Sequence, residues 1–413
     1  MSVWHGAIPS HWESQKVGEL FTERREKVSD TEFAPLSVSK AGIVPQMANV
    51  AKSSDGENRK LVKRGDFAIN SRSDRRGSSG VSEYDGSVSL INIVLTPRSE
   101  TNERYWYYLL KSHIFIEEYY RSGRGIVADL WTTRYTEMKA VYLPVPPRQE
   151  QDKIVRYLDW KVSQINKLIN AKKRQIGLLK EYIGANVDCI FRSATEKVTP
   201  LSRCTTKIGS GKTPRGGVAV YVESGVMFIR SQNVHPSGLV TETAYYITDD
   251  IDESMKSTRV YKGDVLLNIT GGSLGRSCIY NLEEHANVNQ HVCIIRPNQD
   301  LLVPEYLTYF LNSPLGQEVM TSSQNEGNRE SLTFVQIGTF KIPLPAVEEQ
   351  KKILTLVNSI AKPVETIIKQ LNDEISYLSE YRARLLSDVV TGKLDVQGVT
   401  VPEYEVEAEV AVL

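Results

Sequence analysis

Apolar residues recur at alternating steps of three and four along two stretches of the chain, and this pattern predicts two long helices. The first series is Leu158, Val162, Ile165, Ile169, Ile176, Leu179, Ile183 and Ile190. The second series is Ile353, Val357, Ile360, Val364, Ile367, Leu371, Leu378, Tyr381 and Leu385. Lys172, Asn186 and Glu374 interrupt them. Heptad seams of this length are typical of coiled coils.

Proline and glycine predict where the second helix is divided and where it ends. Pro363 lacks a backbone N–H and clashes one turn back inside a helix. The sequence therefore predicts a short helix to about Ala361 and a long one from Pro363 to about Val390. Gly392 suits the left-handed position that follows a helix.

The apolar side chains of the two helices could be buried in two ways. Each helix could pack on its own globular region, or the two could pack on each other, antiparallel, as a coiled-coil spacer. The second is favoured, because equivalent seams related by a pseudo-two-fold axis complement each other. Lys172 facing Glu374 would then help to set the register.

The chain repeats itself at an offset of 199 residues. Leu143-Pro-Val-Pro-Pro-Arg-Gln-Glu-Gln-Asp-Lys-Ile154 returns as Ile342-Pro-Leu-Pro-Ala-Val-Glu-Glu-Gln-Lys-Lys-Ile353, and residues 63–70 echo in 261–268. We expect two copies of one plan: globular regions at 1–142 and 196–341, helical regions at 143–195 and 342–396, and a tail at 397–413. A period this long indicates a duplicated two-domain protein rather than a solenoid.

Short apolar runs between glycine and asparagine turns predict strands in the globular regions. In the second region they begin at Gly225, Gly263, Cys278 and Val292, and matching short helices are predicted from Tyr105 and Glu305. The fold class is therefore α+β: two mixed, strand-rich domains separated by two long antiparallel helices.

Composition narrows the functional class. The 413 residues carry 50 Lys plus Arg and 50 Asp plus Glu, a net charge of zero, which argues against a non-specific DNA coat. It leaves room for basic groups on one face, or for a partner that shares phosphate binding. No apolar run reaches the ~18 residues of a membrane span and no secretion signal is evident, so we expect a cytoplasmic protein with reduced cysteines.

Two motifs suggest catalysis and fail in context. Gly209-Ser-Gly-Lys-Thr213 has Thr206 where a Walker A motif needs glycine, and Pro214 follows where a helix should begin. Gly271-Gly-Ser273-Leu-Gly275 matches a nucleophile elbow but leads into a predicted strand. We expect no catalytic, metal-binding or cofactor-binding residues in this chain.

Several predicted turns carry side chains that make bidentate contacts to base edges. Any one could be a solvated loop, but such loops recur in both copies. The candidate DNA-binding residues are Arg72, Arg75, Arg76, Arg121, Arg124, Lys212, Arg215, Arg230, Gln232, Asn233, Arg276, Asn289, Gln290, His291, Asn328 and Arg329.

The sequence resembles the specificity subunit of type I restriction-modification enzymes along essentially its whole length. The residues that carry the resemblance are Ile8-Pro-Ser-His-Trp-Glu13, Ile208-Gly-Ser-Gly-Lys-Thr-Pro214, 263–267, 272–275, the two Pro-rich helix starts and Val390-Thr-Gly-Lys-Leu-Asp-Val396. The departures are Phe191-Arg-Ser-Ala-Thr-Glu196 after the first helix, Ala346 in the second proline doublet, and a first domain without a GSGKTP-like start.

The resemblance implies a non-catalytic subunit with two target-recognition domains, each reading half of a bipartite, asymmetric site in double-stranded DNA. The helices would set the gap and dock two methyltransferase subunits, which would bind S-adenosylmethionine and methylate adenine N6. Restriction subunits would add ATP- and Mg-dependent translocation and cleavage. The residues expected to form the spacer and its docking face are Leu158, Ile165, Ile169, Ile176, Leu179, Val364, Ile367, Leu371, Leu378 and Leu385.

Two alternatives remain open from the residues alone. A duplicated coiled-coil scaffold that binds protein would explain the seams equally well, but not the recurring Arg, Asn and Gln loops. A hydrolase acting through Ser273 would require an esterase activity that Ser273→Ala abolishes.

Overall fold

The computed structural model describes residues 8–46, 56–98, 102–125, 131–194, 197–323 and 331–403. The chain forms two compact units: unit 1 is Met1–Lys173 with Asn372–Leu413, and unit 2 is Arg174–Leu371. The boundary falls inside both long helices, so each unit contains one globular region and part of each helix.

Unit 1 begins with a strand-rich globular region. Its strands are β1 (Glu13–Lys16), β2 (Phe21–Glu23), β3 (Lys27–Val28), β4 (Leu36–Ser39), β5 (Gly42–Pro45), β6 (Arg59–Val62), β7 (Phe67–Asn70), β8 (Ser79–Val81), β9 (Gly86–Ser89), β10 (Asn92–Pro97) and β11 (Tyr142–Val145). Its helices are α1 (Val17–Leu20), α2 (Glu103–Lys111), α3 (His113–Arg121) and α4 (Tyr135–Met138), followed by the first long helix α5 (Arg148–Ser193).

The core of unit 1 lies between a four-stranded antiparallel sheet, in the order β2-β10-β7-β8, and the helices. Alternate residues of β7 and β10, such as Ile69 and Leu95, share one buried cluster with Leu109 of α2 and Leu158 of α5. Every second side chain of these strands thus points to the same side of the sheet and packs on the apolar face of the helices. A three-stranded sheet β3-β6-β9 and the hairpin β4–β5 complete the globular region.

Unit 2 repeats this plan. Its strands are β12 (Val198–Pro200), β13 (Thr205–Ser210), β14 (Val226–Ile229), β15 (Val234–His235), β16 (Gly238–Leu239), β17 (Tyr245–Ile247), β18 (Arg259–Val260), β19 (Val265–Asn268), β20 (Ser277–Ile279), β21 (Ala286–Val288), β22 (Val292–Pro297) and β23 (Lys341–Pro343). Its helices are α6 (Asp249–Ser254), α7 (Pro304–Asn312), α8 (Pro314–Ser322) and α9 (Phe334–Thr339), followed by the second long helix α10 (Val347–Val390). The sheet β13-β22-β19-β20 matches β2-β10-β7-β8, and β12–β23 matches β1–β11. The strands predicted at 225, 263, 278 and 292 and the helices predicted at 105 and 305 are therefore confirmed.

A Gly-Asp turn explains the weaker sequence similarity between residues 63–70 and 261–268. Gly65 and Gly263 take φ angles of +88° and +91°, in the region that favours glycine. The aspartate that follows each glycine accepts the backbone N–H three residues earlier at 2.8 Å in both units. Asp66 pairs with Arg24 and Asp264 with Arg296, each at 2.7 Å, so each buried carboxylate is neutralised and hydrogen-bonded.

The two long helices pack antiparallel within unit 1. Lys172 of α5 forms an ion pair with Glu374 of α10, and Asn166 accepts a hydrogen bond from Arg382. From the first contact to the second, the residue number decreases along α5 and increases along α10, so the two helices run antiparallel. The predicted facing of Lys172 and Glu374 is confirmed.

In unit 2 the other parts of both long helices share the core of the globular region. Val187 and Phe191 of α5 and Val357 of α10 belong to one buried cluster with Tyr306 of α7. The rings of Phe191 and Tyr306 lie 5.0 Å apart in an edge-to-face arrangement, which is a favoured aromatic geometry.

The predicted break at Pro363 is wrong, because α10 runs through it as one helix of 44 residues. Pro363 and Ser359 are both exposed, so the carbonyl that loses its N–H donor lies on the solvent side. Helix packing on either side of the proline outweighs that local cost. The predicted end is confirmed: Gly392 has a φ of +74° and donates its N–H to the carbonyl of Val389 at 3.1 Å. Across the described ranges, no helix combines the length and apolarity that crossing a membrane requires.

Candidate nucleic-acid interface

Four loops of unit 2 converge at one edge of its sheets. The side chain of Asn268, at the end of β19, donates to the carbonyl of Ser231 at 2.8 Å. The next residue, Ile269, donates its N–H to the carbonyl of His291 at 3.0 Å. Lys212 donates its N–H to the carbonyl of Val288 at 3.1 Å. The predicted loops at 212–215, 230–233 and 289–291 are thus brought together, joined by the turn that contains Arg276.

Arg230 is held in a defined orientation in this loop set. Its guanidinium carbon lies 3.6 Å from the centre of the Tyr245 ring, a close cation–π contact. One guanidinium nitrogen also donates to the carbonyl of Thr243 at 3.4 Å. Its Nε is buried and has no hydrogen-bond partner among the described residues. A guanidinium held in one orientation is the kind of group that reads a base edge or binds phosphate.

Thr270 and His291 add a polar pair that the sequence analysis named only in part. Thr270 Oγ1 lies 2.7 Å from Nδ1 of His291, and Thr213 donates a short hydrogen bond to Gln290. The candidate list included both Gln290 and His291 but omitted the two threonines. The sequence feature that could have identified Thr270 is its position directly before the glycine turn 271–275.

Asn233 and Asn289 have structural roles in this unit. Asn233 is fully buried: its Oδ1 accepts the Arg230 N–H at 3.0 Å, and its Nδ2 donates to the carbonyl of Val240 at 2.9 Å. Asn289 is 9% exposed and accepts the N–H of His291 at 3.2 Å. Both asparagines shape the loops, whereas Gln232, Gln290, Lys212, Arg215 and Arg276 are exposed.

Unit 1 places a comparable turn after β7. The chain leaves Asn70, whose side chain accepts the N–H of Arg72 at 3.0 Å, and forms a 3-10 turn over Ser73–Arg75. Arg72 and Arg124 both form β-bridges with Thr132, which brings the two predicted arginine loops together. The corresponding turn of unit 2 follows Asn268 and covers Gly271–Ser273.

Three arginines of unit 1 are paired with acids. Arg121 pairs with Glu118 at 2.7 Å, Arg124 lies 3.8 Å from Glu137, and Arg76 pairs with Glu117. The hydrogen bonds that Arg121 donates to the Glu118 carboxylate raise the pKa of Arg121 above its ordinary value. Arg76 also lies 5.5 Å from the centre of the Tyr120 ring.

These pairs leave Arg72 and Arg75 as the more available cations of that turn. Both are exposed, and Arg75 is 3.9 Å from Asp74 at its nearest approach to an acid. Asn328 and Arg329 lie outside the described residues.

The two motifs that suggest catalysis adopt other structures. Residues 209–210 belong to β13, and no helix begins at Lys212 or Thr213; the next helical segment is a short 3-10 helix at Gly217–Val220. Ser273 ends a 3-10 turn that leads into β20 rather than a helix. Among the described residues, no group of three His, Cys, Asp or Glu side chains could hold a metal ion.

The predicted spacer residues differ in burial. Five are buried: Leu158, Ile165, Ile169, Ile176 and Leu385. Four are half-buried: Leu179, Val364, Leu371 and Leu378. Ile367 is 45% exposed, while its neighbour Ile368 is half-buried. The inward face of α10 therefore includes position 368 near the middle of the helix.

A family model for the type I restriction modification DNA specificity domain matches the chain twice, at residues 9–178 and 207–377. The chain belongs to this family. Each match covers one globular region together with the start of the long helix that follows it, in agreement with the structural repeat.

Curated specificity subunits are similar to parts of the chain. The chain is 27% identical over 176 residues to the EcoBI specificity subunit of Escherichia coli, covering 43% of this chain and 37% of that protein. It is 22% identical over 276 residues to the MjaVIII specificity subunit of Methanocaldococcus jannaschii, covering 62% and 63%. The matches thus span between about a third and two thirds of these relatives.

The fold has a counterpart among solved structures. A chain from a structure concerned with complex assembly and conformational transition of the type I R-M system matches with a TM-score of 0.65 at 16% identity. The match covers 94% of this chain and 99% of that one. At this identity the likeness concerns the fold.

Proposed function

We propose that this chain is the DNA sequence-specificity subunit of a type I restriction-modification system. The globular regions 1–142 and 196–341 would be its two target-recognition domains, each reading one half of a bipartite, asymmetric DNA site. The regions 143–195 and 342–396 would form the helical spacer. The observation that carries the proposal is that both copies of the family domain end corresponding strands, β7 and β19, in an asparagine and continue into a turn that carries exposed arginine.

The chemistry of these loops suits DNA. Arginine makes bidentate contacts to guanine, and glutamine to adenine, in the major groove. Exposed lysines and arginines such as Lys212 and Arg215 would neutralise phosphates. A net charge of zero is compatible with basic groups collected on one face, or with a partner that shares the phosphate binding.

The partners follow from the family. Two methyltransferase subunits would dock on the long helices, bind S-adenosylmethionine and methylate adenine N6. Restriction subunits, using ATP and Mg, would associate through them. The complex would act on DNA in the cytoplasm.

Salt dependence of DNA binding tests this proposal against the protein-binding scaffold. The full chain, in complex with its methyltransferase partner, is titrated with double-stranded DNA at salt concentrations from about 50 to about 400 mM, a range that includes physiological ionic strength. The affinity is measured at each salt concentration. The log–log slope should be about −0.9 per phosphate contact. Replacing Lys212 with alanine should reduce the magnitude of the slope by about one contact. A flat response, or DNA binding equal to that of the methyltransferase alone, would favour the scaffold.

A further inference from the structure

A polar groove in unit 1 lies beside the turn that carries Arg72 and Arg75. Of the residues that line it, the sequence analysis named Arg75 alone. The groove has a volume of about 540 Å³. The hairpin β4–β5 forms one wall and the turn after β7 forms the other. The lining residues used below are Ser37, Lys40, Gln46, Asn70, Arg75 and Asn92.

The structural repeat places this groove where unit 2 carries Arg230. In unit 2, β14 pairs in parallel with β21 through Phe228 and Asn287, and Arg230 follows two residues later. In unit 1, Pro35 forms the matching parallel bridge with Ser87, and Ser37 follows two residues later. The unit 1 counterpart of the 230–233 loop is therefore the hairpin that starts near Ser37.

The hairpin is fixed to the core of unit 1. Lys111 of α2 donates to the carbonyl of Lys40 at 2.8 Å and to the carbonyl of Ser79 at 3.0 Å. A Cβ added to Gly80 of β8 would lie 3.0 Å from the Cα of Gly42. A side chain at position 80 would therefore crowd the backbone of the hairpin, which packs closely on β8.

One of the residues that line the groove carries an acceptor without a partner. Asn92 is 4% exposed and donates its Nδ2 to the carbonyl of Ser89 at 3.0 Å. Its Oδ1 is buried and accepts no hydrogen bond from the described residues. A buried acceptor left in this state costs about 1–3 kcal/mol, so the site favours an N–H donor from outside.

We propose that this groove is a further base-reading subsite of unit 1, in which Asn92 Oδ1 accepts a hydrogen bond from the amino group of adenine or cytosine. Those exocyclic amino groups are the N–H donors that base pairs present in the major groove. Gln46 and Arg75 at the rim supply the donors and acceptor that fix the base or its neighbour, and Lys40 at the hairpin tip contacts phosphate. The inference rests on the proposed function, since it assigns residues of one recognition domain.

The test uses the full chain with its methyltransferase partner and a duplex library with both half-sites randomised. Methylated molecules are sequenced for the parent and for Gln46→Ala, Arg75→Ala and Asn92→Ser. Gln164→Ala is the matched control, because Gln164 is an exposed glutamine on α5 of the same unit. Gln46→Ala and Arg75→Ala change residues at the rim, so they report even if Asn92→Ser fails to fold.

We expect Gln46→Ala or Arg75→Ala to relax the preference at one or two base pairs of a single half-site by about ten-fold. Asn92→Ser should relax an A or C position in that same half-site, and Gln164→Ala should change nothing. Unchanged preferences in both rim variants, or equal relaxation in both half-sites, would overturn the groove assignment while leaving the proposed function intact. A parent complex that selects no bipartite site would overturn the proposed function itself.

Discussion

Reversing the charges of Lys172 and Glu374 tests the antiparallel packing of the long helices most specifically. The Lys172 side chain is 18% exposed and that of Glu374 is 51% exposed, so the pair is partly shielded from solvent. Exposed ion pairs contribute about 0.2–1 kcal/mol, and partial shielding places this one near the upper end. Lys172→Glu should therefore lower the free energy of unfolding by about 1–2 kcal/mol, because it replaces attraction by repulsion.

The assay is a double-mutant cycle by urea unfolding. The swapped variant, Lys172→Glu with Glu374→Lys, should recover most of the loss, giving a coupling energy on the order of 1 kcal/mol. The coupling should fall as salt is raised to about 1 M, where the Debye length is about 3 Å. The matched control combines Lys153→Glu with Glu374→Lys, since Lys153 is exposed on the same helix about 28 Å away. Additive effects in both cycles would refute the packing.

Three further predictions follow from individual side chains and from the spacer. Leu385→Ala should lower the free energy of unfolding by about 2–5 kcal/mol because Leu385 is 5% exposed. Ile367→Ala should lower it by under about 1 kcal/mol because Ile367 is 45% exposed. Equal losses in chemical denaturation would contradict this difference in burial. Burial lowers the pKa of Lys111 to about 8 from 10.5, so between these two pH values the unfolded state binds more protons than the folded state. The free energy of unfolding of the parent should therefore rise with pH relative to that of Lys111→Met. Parallel pH profiles of the two proteins would contradict the lowered pKa. Four residues inserted into α5 should change the gap between half-sites in a DNA selection while both half-sites stay readable, and an unchanged gap would argue against the spacer role.

The sequence predicted those features that depend on local periodicity. The heptad seams identified buried positions such as Leu158 and Leu385, and the repeat identified the two equivalent sheets. The proline rule failed at Pro363, where the apolar series continues from Ile360 to Val364 and helix packing overrides the local cost. It also placed Ile367 in the seam, because a strict seven-residue repeat drifts around a helix of 3.6 residues per turn.

The candidate interface was less predictable, because residue type alone does not distinguish a reading side chain from a structural one. Asn233 and Gln232 are neighbours of similar chemistry, yet Asn233 is fully buried in loop hydrogen bonds and Gln232 is exposed. Asn92 carried no motif. Only the three-dimensional structure brings Asn92 and the hairpin β4–β5 into the lining of one groove.

The measurement that bears most directly on the central claim compares the DNA sites selected by Arg72→Ala and Arg230→Ala. Each variant is assembled with the methyltransferase partner and presented with a duplex library, and the methylated sequences are read. We predict that Arg230→Ala relaxes bases in one half-site only and that Arg72→Ala relaxes bases in the other, at about 1–3 kcal/mol per lost bidentate contact. If both variants weaken the same half-site, or both halves together, the two units do not read DNA independently and the account is wrong.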